Sequence, residues 1–465
     1  MQYIGKDILT HGALLHLDPK IAWERLRSRA KQGIRKAQKA GIRVVESRDL
    51  SLMAKVWYNP DTLTKTLEPD QKMYMAYLGG ELVGGIIVTP VTSNTLFYHY
   101  GGTNERGRAI EANAYLFWHI VEQFQSGPFQ FLDVGVSFRP ELQHYFQKYA
   151  TQTYPILFHP PTAEVLPKIG MAPFTTGDLQ WVEQQVVAIN TQLWEHFEAE
   201  FTYMPSRPFA LQSALRALNV PKGGAVGVWA SVGEASYVAE LREQFSDRYK
   251  FLTRAPEAKA HIVCHRWGHF CQEVETLAAE SLPLIEDCRD ALFPFPTEPQ
   301  PGSYGRYAVH DFSRWFPMQF GAALVGEYFP DRVVWDDFHC LDVTKRNAVR
   351  ELLQIHWPQR ERYAAARRSN WKRLQTLFAL IGMEPAFDPS EAPVAFVLRD
   401  QPPYTAQVIQ ERLRAFGVAT ERDDAEGVIA LPCHASLAPN HLDYIFGAFR
   451  GMVNPCHTFV RESPE

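Results

Sequence analysis

The sequence lacks any long apolar run. Its longest such stretch, LVGGIIVTPV (82–91), has ten residues, about half of the ~20 that a membrane-spanning helix needs. Its start, MQYIGKDILTHGALLHLD, lacks the charged-then-apolar layout of a secretory leader. These absences predict a soluble, cytoplasmic protein with no membrane span. A cysteine framework is missing too. Six cysteines stand in 465 residues, all after residue 263 (Cys264, Cys271, Cys288, Cys340, Cys433 and Cys456), with no regular spacing. They read as reduced thiols, because a chain of this length builds a core without disulfides. His261, Cys264, His265, His269 and Cys271 crowd one stretch, HIVCHRWGHFC, but their spacing matches no zinc pattern, and no metal is expected. Lysine is scarce in the second half. From residue 203 onward there are only Lys222, Lys250, Lys259, Lys345 and Lys372.

What is present is ordinary globular material. Apolar residues make up 46% and charged residues 21%, near the usual averages, which excludes a disordered tail, a collagen and a coiled-coil rod. The length suggests two or three domains. The net charge of −5 is unevenly spread: residues 1–50 carry +6 and the remainder −11. A basic head on an acidic body points to an anionic partner near the head, or to a solvated helix face.

From 20 to 40 the pattern is helical, with Trp23, Leu26, Ala30, Ile34 and Ala37 at spacings of three and four and basic residues on the other faces. Gly41 ends that helix, and IRVVES starts a strand. MYMAYLGGELVGGIIVTP (73–90) reads as a hairpin turning at Gly79-Gly80. TLFYHYGG (95–102) is a further strand, EANAYLFWHIVEQFQ (111–125) a helix, FQFLDVG (129–135) a strand, RPELQHYFQKYA (139–150) a helix and TYPILF (153–158) a strand. This order implies a mixed sheet with crossover helices.

Two stretches of this half, RSRAKQGIRKAQKAGIRVVES (27–47) and YHYGGTNERGRAIEANAYLFWHIVEQFQSGPFQFLDVG (98–135), resemble the GNAT acyltransferase superfamily. Within it they are most similar to the branch holding the Fem-type aminoacyltransferases. The resemblance implies acyl transfer to an amine acceptor, with both reactants held between two splayed parallel strands. The family's pyrophosphate loop is absent, and NERGRA (104–109) is a loose substitute. The donor therefore stays open between acyl-CoA and an aminoacyl-tRNA. Strand alternation puts Phe97, His99 and Gly101 on one face, and Leu96, Tyr98 and Tyr100 on the other. His99 is the candidate base, or else a packed strand histidine. Tyr100 or Tyr98 is the candidate acid. Asp133 is placed to hold the amine. Glu111 opens a helix, where its charge also suits the helix dipole. Arg29, Arg35, Lys36 and Lys39 are the candidates for gripping a donor's phosphates.

From 205 onward strands and helices alternate: GAVGVWA, KAHIVCH and LPLIEDC as buried strands with helices between them, then long helices after Arg350, then APVAFVLRD, YTAQVIQERLRAFGV and GVIALP. A largely parallel sheet covered on both faces is expected, followed by a small α+β lobe. HRWGHF, LPLIEDC (282–288), GSYGRYAVHDFSRWFPMQFGAALVG (302–326) and LPCHASLAPNHLDYIFGAF (431–449) resemble, in order and spacing, the DegT/DnrJ-type sugar aminotransferases of pyridoxal-phosphate (PLP) fold type I. The resemblance implies that Asp287 meets the pyridinium nitrogen. It also places Asp311 where the family has a phosphate-supporting serine, and Arg314 where it has the Schiff-base lysine. Arginine keeps its charge and offers no free amine, and no lysine stands between 259 and 345.

These readings predict an α/β chain in three parts: a GNAT-like domain over 1–160, a linker over 161–202, and a degenerate aminotransferase-like domain over 203–465. The expected function is acyl or aminoacyl transfer to a small-molecule amine or amino sugar, with tRNA a possible partner, PLP unlikely and a homodimer implied by fold-type I. The alternatives are a PLP-dependent sugar aminotransferase with an atypical site and a non-catalytic assembly protein.

Overall fold

The computed structural model describes residues 10–57, 63–64, 66–135, 140–157, 169–173, 189–245, 248–293, 300–326, 343–388, 392–401 and 404–453. They group into two units. One takes the described residues of Ile4–Thr162, Thr376–Met383 and Asp443–Glu465; the other takes those of Ala163–Gln375 and Glu384–Leu442. Two C-terminal segments thus group with the N-terminal unit.

In the N-terminal unit the order is β1 (Thr10–His16), α1 (Pro19–Arg25), α2 (Ser28–Ala40), β2 (Arg43–Ser47), α3 (Leu50–Ala54), β3 (Lys72–Leu78), β4 (Glu81–Pro90), β5 (Thr95–Thr103), α4 (Glu105–Ala109), α5 (Ala112–Phe124), β6 (Phe131–Gly135), α6 (Pro140–Gln147) and β7 (Gln152–Ile156). The strands form one sheet in the order β2-β3-β4-β5-β6-β1-β7. The expected helix over 20–40 is two helices. Asp18 caps the first by accepting from the N–H groups of Lys20 and Ile21. Extended backbone at Leu26 and Arg27 then breaks the run. Ala30, Gly33, Ile34 and Ala37 bury the inner face of α2, and Gly41 closes it at φ 79°.

The parallel pair β5–β6 is central to this unit. It holds for only three residue pairs, Thr95↔Phe131, Leu96↔Leu132 and Phe97↔Asp133, while β5 runs on to Thr103. On its other side β5 pairs antiparallel with β4, and the register slips: Ile87 faces Tyr100 while Val88 faces Tyr98. His99 is the extra residue of that bulge, which resets the alternation. The expected division of faces is therefore corrected. Tyr98 packs with Leu96 on the face covered by α2 and α5. Tyr100 joins His99 on the opposite side, their rings stacked 4.5 Å apart.

The second unit holds α7 (Ile189–Phe197), β8 (Phe201–Met204), α8 (Arg207–Ala217), β9 (Ala225–Ala230), α9 (Glu234–Phe245), β10 (Lys250–Thr253), β11 (Ala260–Cys264), α10 (Glu273–Ala279), β12 (Leu284–Asp287), β13 (Tyr307–Asp311), β14 (Ala322–Gly326), α11 (Val343–His356) and α12 (Arg360–Ala379). A small lobe follows: β15 (Ala395–Arg399), α13 (Ala406–Ala415), β16 (Glu421–Asp423), β17 (Val428–Pro432) and α14 (Pro439–Val453). The last turns of α12 and α14 count with the N-terminal unit. The large sheet runs β10-β9-β11-β12-β13-β14-β8. Its first five strands are parallel, and β14 is antiparallel to both of its neighbours. Buried residues fill β9, β11 and β12 almost without a break, as a sheet covered on both faces requires. Helix α7, expected within a linker, buries Ile189 and Leu193 in a core with Phe312, Trp315 and Trp357. The stretch HPPTAEVLP and the start of the helix expected over 182–201 lie outside the described residues.

Candidate functional site

In a parallel sheet, loops leaving the carboxyl ends of the strands gather at one edge, and ligands bind there. In the second unit that edge carries an ionic network. Asp287 ends β12 fully buried. Its Oδ2 accepts from Arg207 Nε at 2.7 Å and from the Tyr237 hydroxyl at 2.6 Å. Its Oδ1 accepts from the Arg289 N–H at 3.3 Å. Glu240 of α9 receives Arg207 at 2.7 Å and both carboxylate oxygens receive Arg289, at 2.7 and 2.9 Å. Burial works against its charge, yet Arg289 and Arg207 hold its pKa down at about 2.

At the end of β13, Asp311 accepts from the Ser313 N–H at 3.0 Å and from the Ser313 hydroxyl at 2.6 Å. It thereby caps the single 3-10 turn Phe312–Arg314. Burial pushes its pKa up, against Ser313 and the nearby arginines. Arg314 donates Nε to Asp290 Oδ1 at 3.0 Å and Nη1 to Glu421 Oε1 at 2.7 Å. Trp267 braces the same two carboxylates. Its N–H donates to Asp290 at 3.0 Å and its indole N–H to Glu421 at 2.8 Å. Beside this network Ser236, Glu240, Glu243, Arg266, Arg289, Glu421 and Arg422 line a crevice of about 480 Å³. Three arginines and three glutamates are among its lining residues.

The sequence placed Asp287, Asp311 and Arg314 at this edge but missed the partners that engage them. Arg207 and Tyr237 stand 80 and 50 residues from Asp287, and Glu421 stands 107 residues from Arg314. Only Arg289 and Asp290 carried a local signal, in the charged run after IEDC.

The cysteine and histidine stretch disperses. His265 Nδ1 accepts from the Cys271 N–H at 3.1 Å, so its Nε2 carries the proton and donates to Glu286 at 2.9 Å. Glu286 also takes the N–H groups of Gly302, Tyr304 and Gly305 at 2.5–2.7 Å. Cys288 completes a close group with His265 and Glu286, but the carboxylate's lone pairs are committed to the 302–305 turn. His269 instead packs on Phe387, with ring centroids 4.4 Å apart.

In the N-terminal unit the nominated residues do not assemble. His99 is half-buried on the β5 bulge, with Nδ1 3.2 Å from Thr89 Oγ1 and 3.4 Å from Gln71 Nε2. Burial lowers its pKa and raises that of Tyr100, so both rings are held neutral. Asp133 is committed elsewhere. Fully buried, it accepts from the Tyr154 hydroxyl at 2.6 Å and the Gly135 N–H at 2.9 Å, and it pairs with the guanidinium of Arg450 in α14. That anchorage corrects its expected role of holding an amine. Glu111 caps α5 in the left-handed region at φ 61° and pairs with Lys148 at 3.5 Å. Arg29, Arg35, Lys36 and Lys39 are all exposed on α2, with Arg35 over the Trp23 ring at 5.2 Å.

No protein-family model matches the chain, and no curated protein matches it. Solved structures that match part of the chain include aminotransferases. A putative sugar aminotransferase from Streptococcus pneumoniae, recorded in its PLP form, is 14% identical with a TM-score of 0.46, over 60% of this chain and 94% of that one. A DegT/DnrJ/EryC1/StrS aminotransferase from Brucella abortus is 15% identical with a TM-score of 0.45, over 59% of this chain and 92% of that one. The pneumococcal protein is also recorded in its PMP form. The expectation that PLP is unlikely is corrected by these structures, one of them determined in both PLP and PMP forms.

The residues at the carboxyl edge do not fit an imine-held PLP. Asp287 suits a pyridinium nitrogen by charge, yet Arg207 and Tyr237 already occupy its Oδ2. Arg314 closes the turn that follows β13, its guanidinium bound on both sides.

Proposed function

We propose that the second unit is an aminotransferase-like binding domain for a phosphorylated amino sugar, and that it does not transaminate through a lysine imine. What supports the reading is Arg314. It stands where the resemblance places the imine-forming lysine, tied between Asp290 and Glu421. A guanidinium cannot give up the proton that imine formation requires.

The crevice beside it suits a ligand carrying both signs. Arg266, Arg289 and Arg422 present donors to a phosphate, while Glu240, Glu243 and Glu421 present acceptors to an ammonium and to sugar hydroxyls. Its volume of about 480 Å³ lies within the usual range of small-molecule sites. Binding, orientation and charge matching are the tasks left to these side chains, and no bond-making step is assigned to them.

Calorimetric titration with glucosamine 1-phosphate, glucose 1-phosphate and PLP tests this. The amino sugar phosphate is expected to bind most tightly. Arg422→Ala is expected to weaken both sugar phosphates, and Glu421→Gln only the one with the amine. Absence of binding by either sugar phosphate, or tighter binding by glucose 1-phosphate, contradicts the reading.

A further inference from the structure

A second constellation stands between α5 and α6 of the N-terminal unit. Lys148, one residue beyond α6, keeps only 12% of its side chain exposed. Its Nζ lies 4.3 Å from the ring centroid of Tyr145 and 4.9 Å from that of Tyr149. Glu111 Oε2 is 3.5 Å away. The two tyrosines meet edge to face at 5.3 Å, with hydroxyls 3.4 Å apart. Gly33 of α2 lies beside the carboxylate: a Cβ added there would stand 3.4 Å from Glu111 Oε2.

Two electron-rich ring faces and a carboxylate converging on one point form a cation receptor. The left-handed backbone of Glu111, at φ 61°, is a conformation that non-glycine residues rarely adopt. Strain of this kind persists only where the surroundings fix it.

The cation now held is the chain's own, and it fits loosely. Its 3.5 Å pair is long for a charge-assisted hydrogen bond, which is usually about 2.7–2.9 Å. Burial lowers the amine's pKa, and Arg29 adds to the effect, while Glu111 opposes it. An ammonium leaving this recess regains its hydration, so exchange for another ammonium meets little opposition.

We propose that Tyr145, Tyr149 and Glu111 form a receptor for a primary ammonium ligand, which enters by displacing the Lys148 Nζ. The ligand's ammonium takes the two ring faces and the carboxylate, and Lys148 swings to solvent on its flexible stem. No covalent bond changes. The site belongs to the N-terminal unit, and the crevice beside Arg314 to the second.

The test uses the full chain titrated calorimetrically with n-propylammonium chloride, against sodium chloride at equal ionic strength. Lys148→Ala is expected to bind the amine saturably and more tightly than the parent protein, since no occupant need leave. Lys148→Met, whose uncharged stem refills the recess, is expected to bind more weakly than Lys148→Ala. Glu111→Gln is expected to lose binding. No saturable heat from Lys148→Ala, or equal binding by Glu111→Gln and the parent, overturns the proposal. Should Lys148→Ala fail to fold, the comparison of Glu111→Gln with the parent decides alone.

Discussion

Two buried arginines show what a single side chain does in this protein. Arg450 and Asp133 are 1% and 0% exposed, so each neutralises a charge that water cannot reach. Asp133→Ala strands the guanidinium and is expected to cost about 3–5 kcal/mol in denaturant unfolding. The paired change Asp133→Leu with Arg450→Met removes both charges and is expected to recover most of that loss. Arg314 belongs to the same class. Arg314→Lys places an amine in the turn after β13, but one ammonium cannot reproduce the two-sided contact with Asp290 and Glu421. A loss of about 1–3 kcal/mol is expected, with no gain of amino transfer while Arg207 and Tyr237 engage Asp287. The types at 287, 311 and 314 were legible because the motif around them is contiguous. Their partners were not. Ionic pairing across 80 or 107 residues leaves no local pattern, and the charged run ERDD that holds Glu421 reads alone as a solvated turn.

Among the elements, apolar periodicity and turn chemistry located most of the helices and strands. The hairpin at Gly79-Gly80 turns through two positive φ values, 59° and 88°, a shape that nearly any other residue pair resists. Gly41 ends α2 at φ 79°. Gly41→Ala is therefore expected to lower stability by about 1 kcal/mol, read from the midpoint of chemical unfolding, and Gly41→Asn by less. Short or irregular pieces escaped the sequence. Strand β1 spans seven residues beside an aliphatic stretch, and the break at Leu26-Arg27 interrupts no periodic position. The His99 bulge was invisible because a bulge is defined by the partner strand. It moved Tyr100 to the other face, and with it the constellation expected around the base.

For the molecule as a whole, the division into a mixed-sheet half and a parallel-sheet half was readable from element order. The return of residues 376–383 and 443–453 to the N-terminal unit was not, because Asp133, Tyr154 and Arg450 declare their pairing only in three dimensions. Acid sensitivity follows from the buried histidines. Burial lowers His269 to about 4 and His310 to about 3, while unfolded imidazoles titrate near 6.5. The unfolded chain therefore takes up protons first. Stability is full above about pH 6.5 and declines as pH falls toward the folded values, which denaturation midpoints taken between pH 7 and 4 will read. The central proposal is that the second unit, with Arg314 where the resemblance places the imine-forming lysine, does not transaminate through a lysine imine. Incubation of the full chain with PLP, borohydride reduction and peptide mapping test it directly. No reduced adduct on a lysine between 203 and 453, together with no amino transfer to a keto sugar, is the expected result; a stoichiometric adduct there, with turnover, contradicts it.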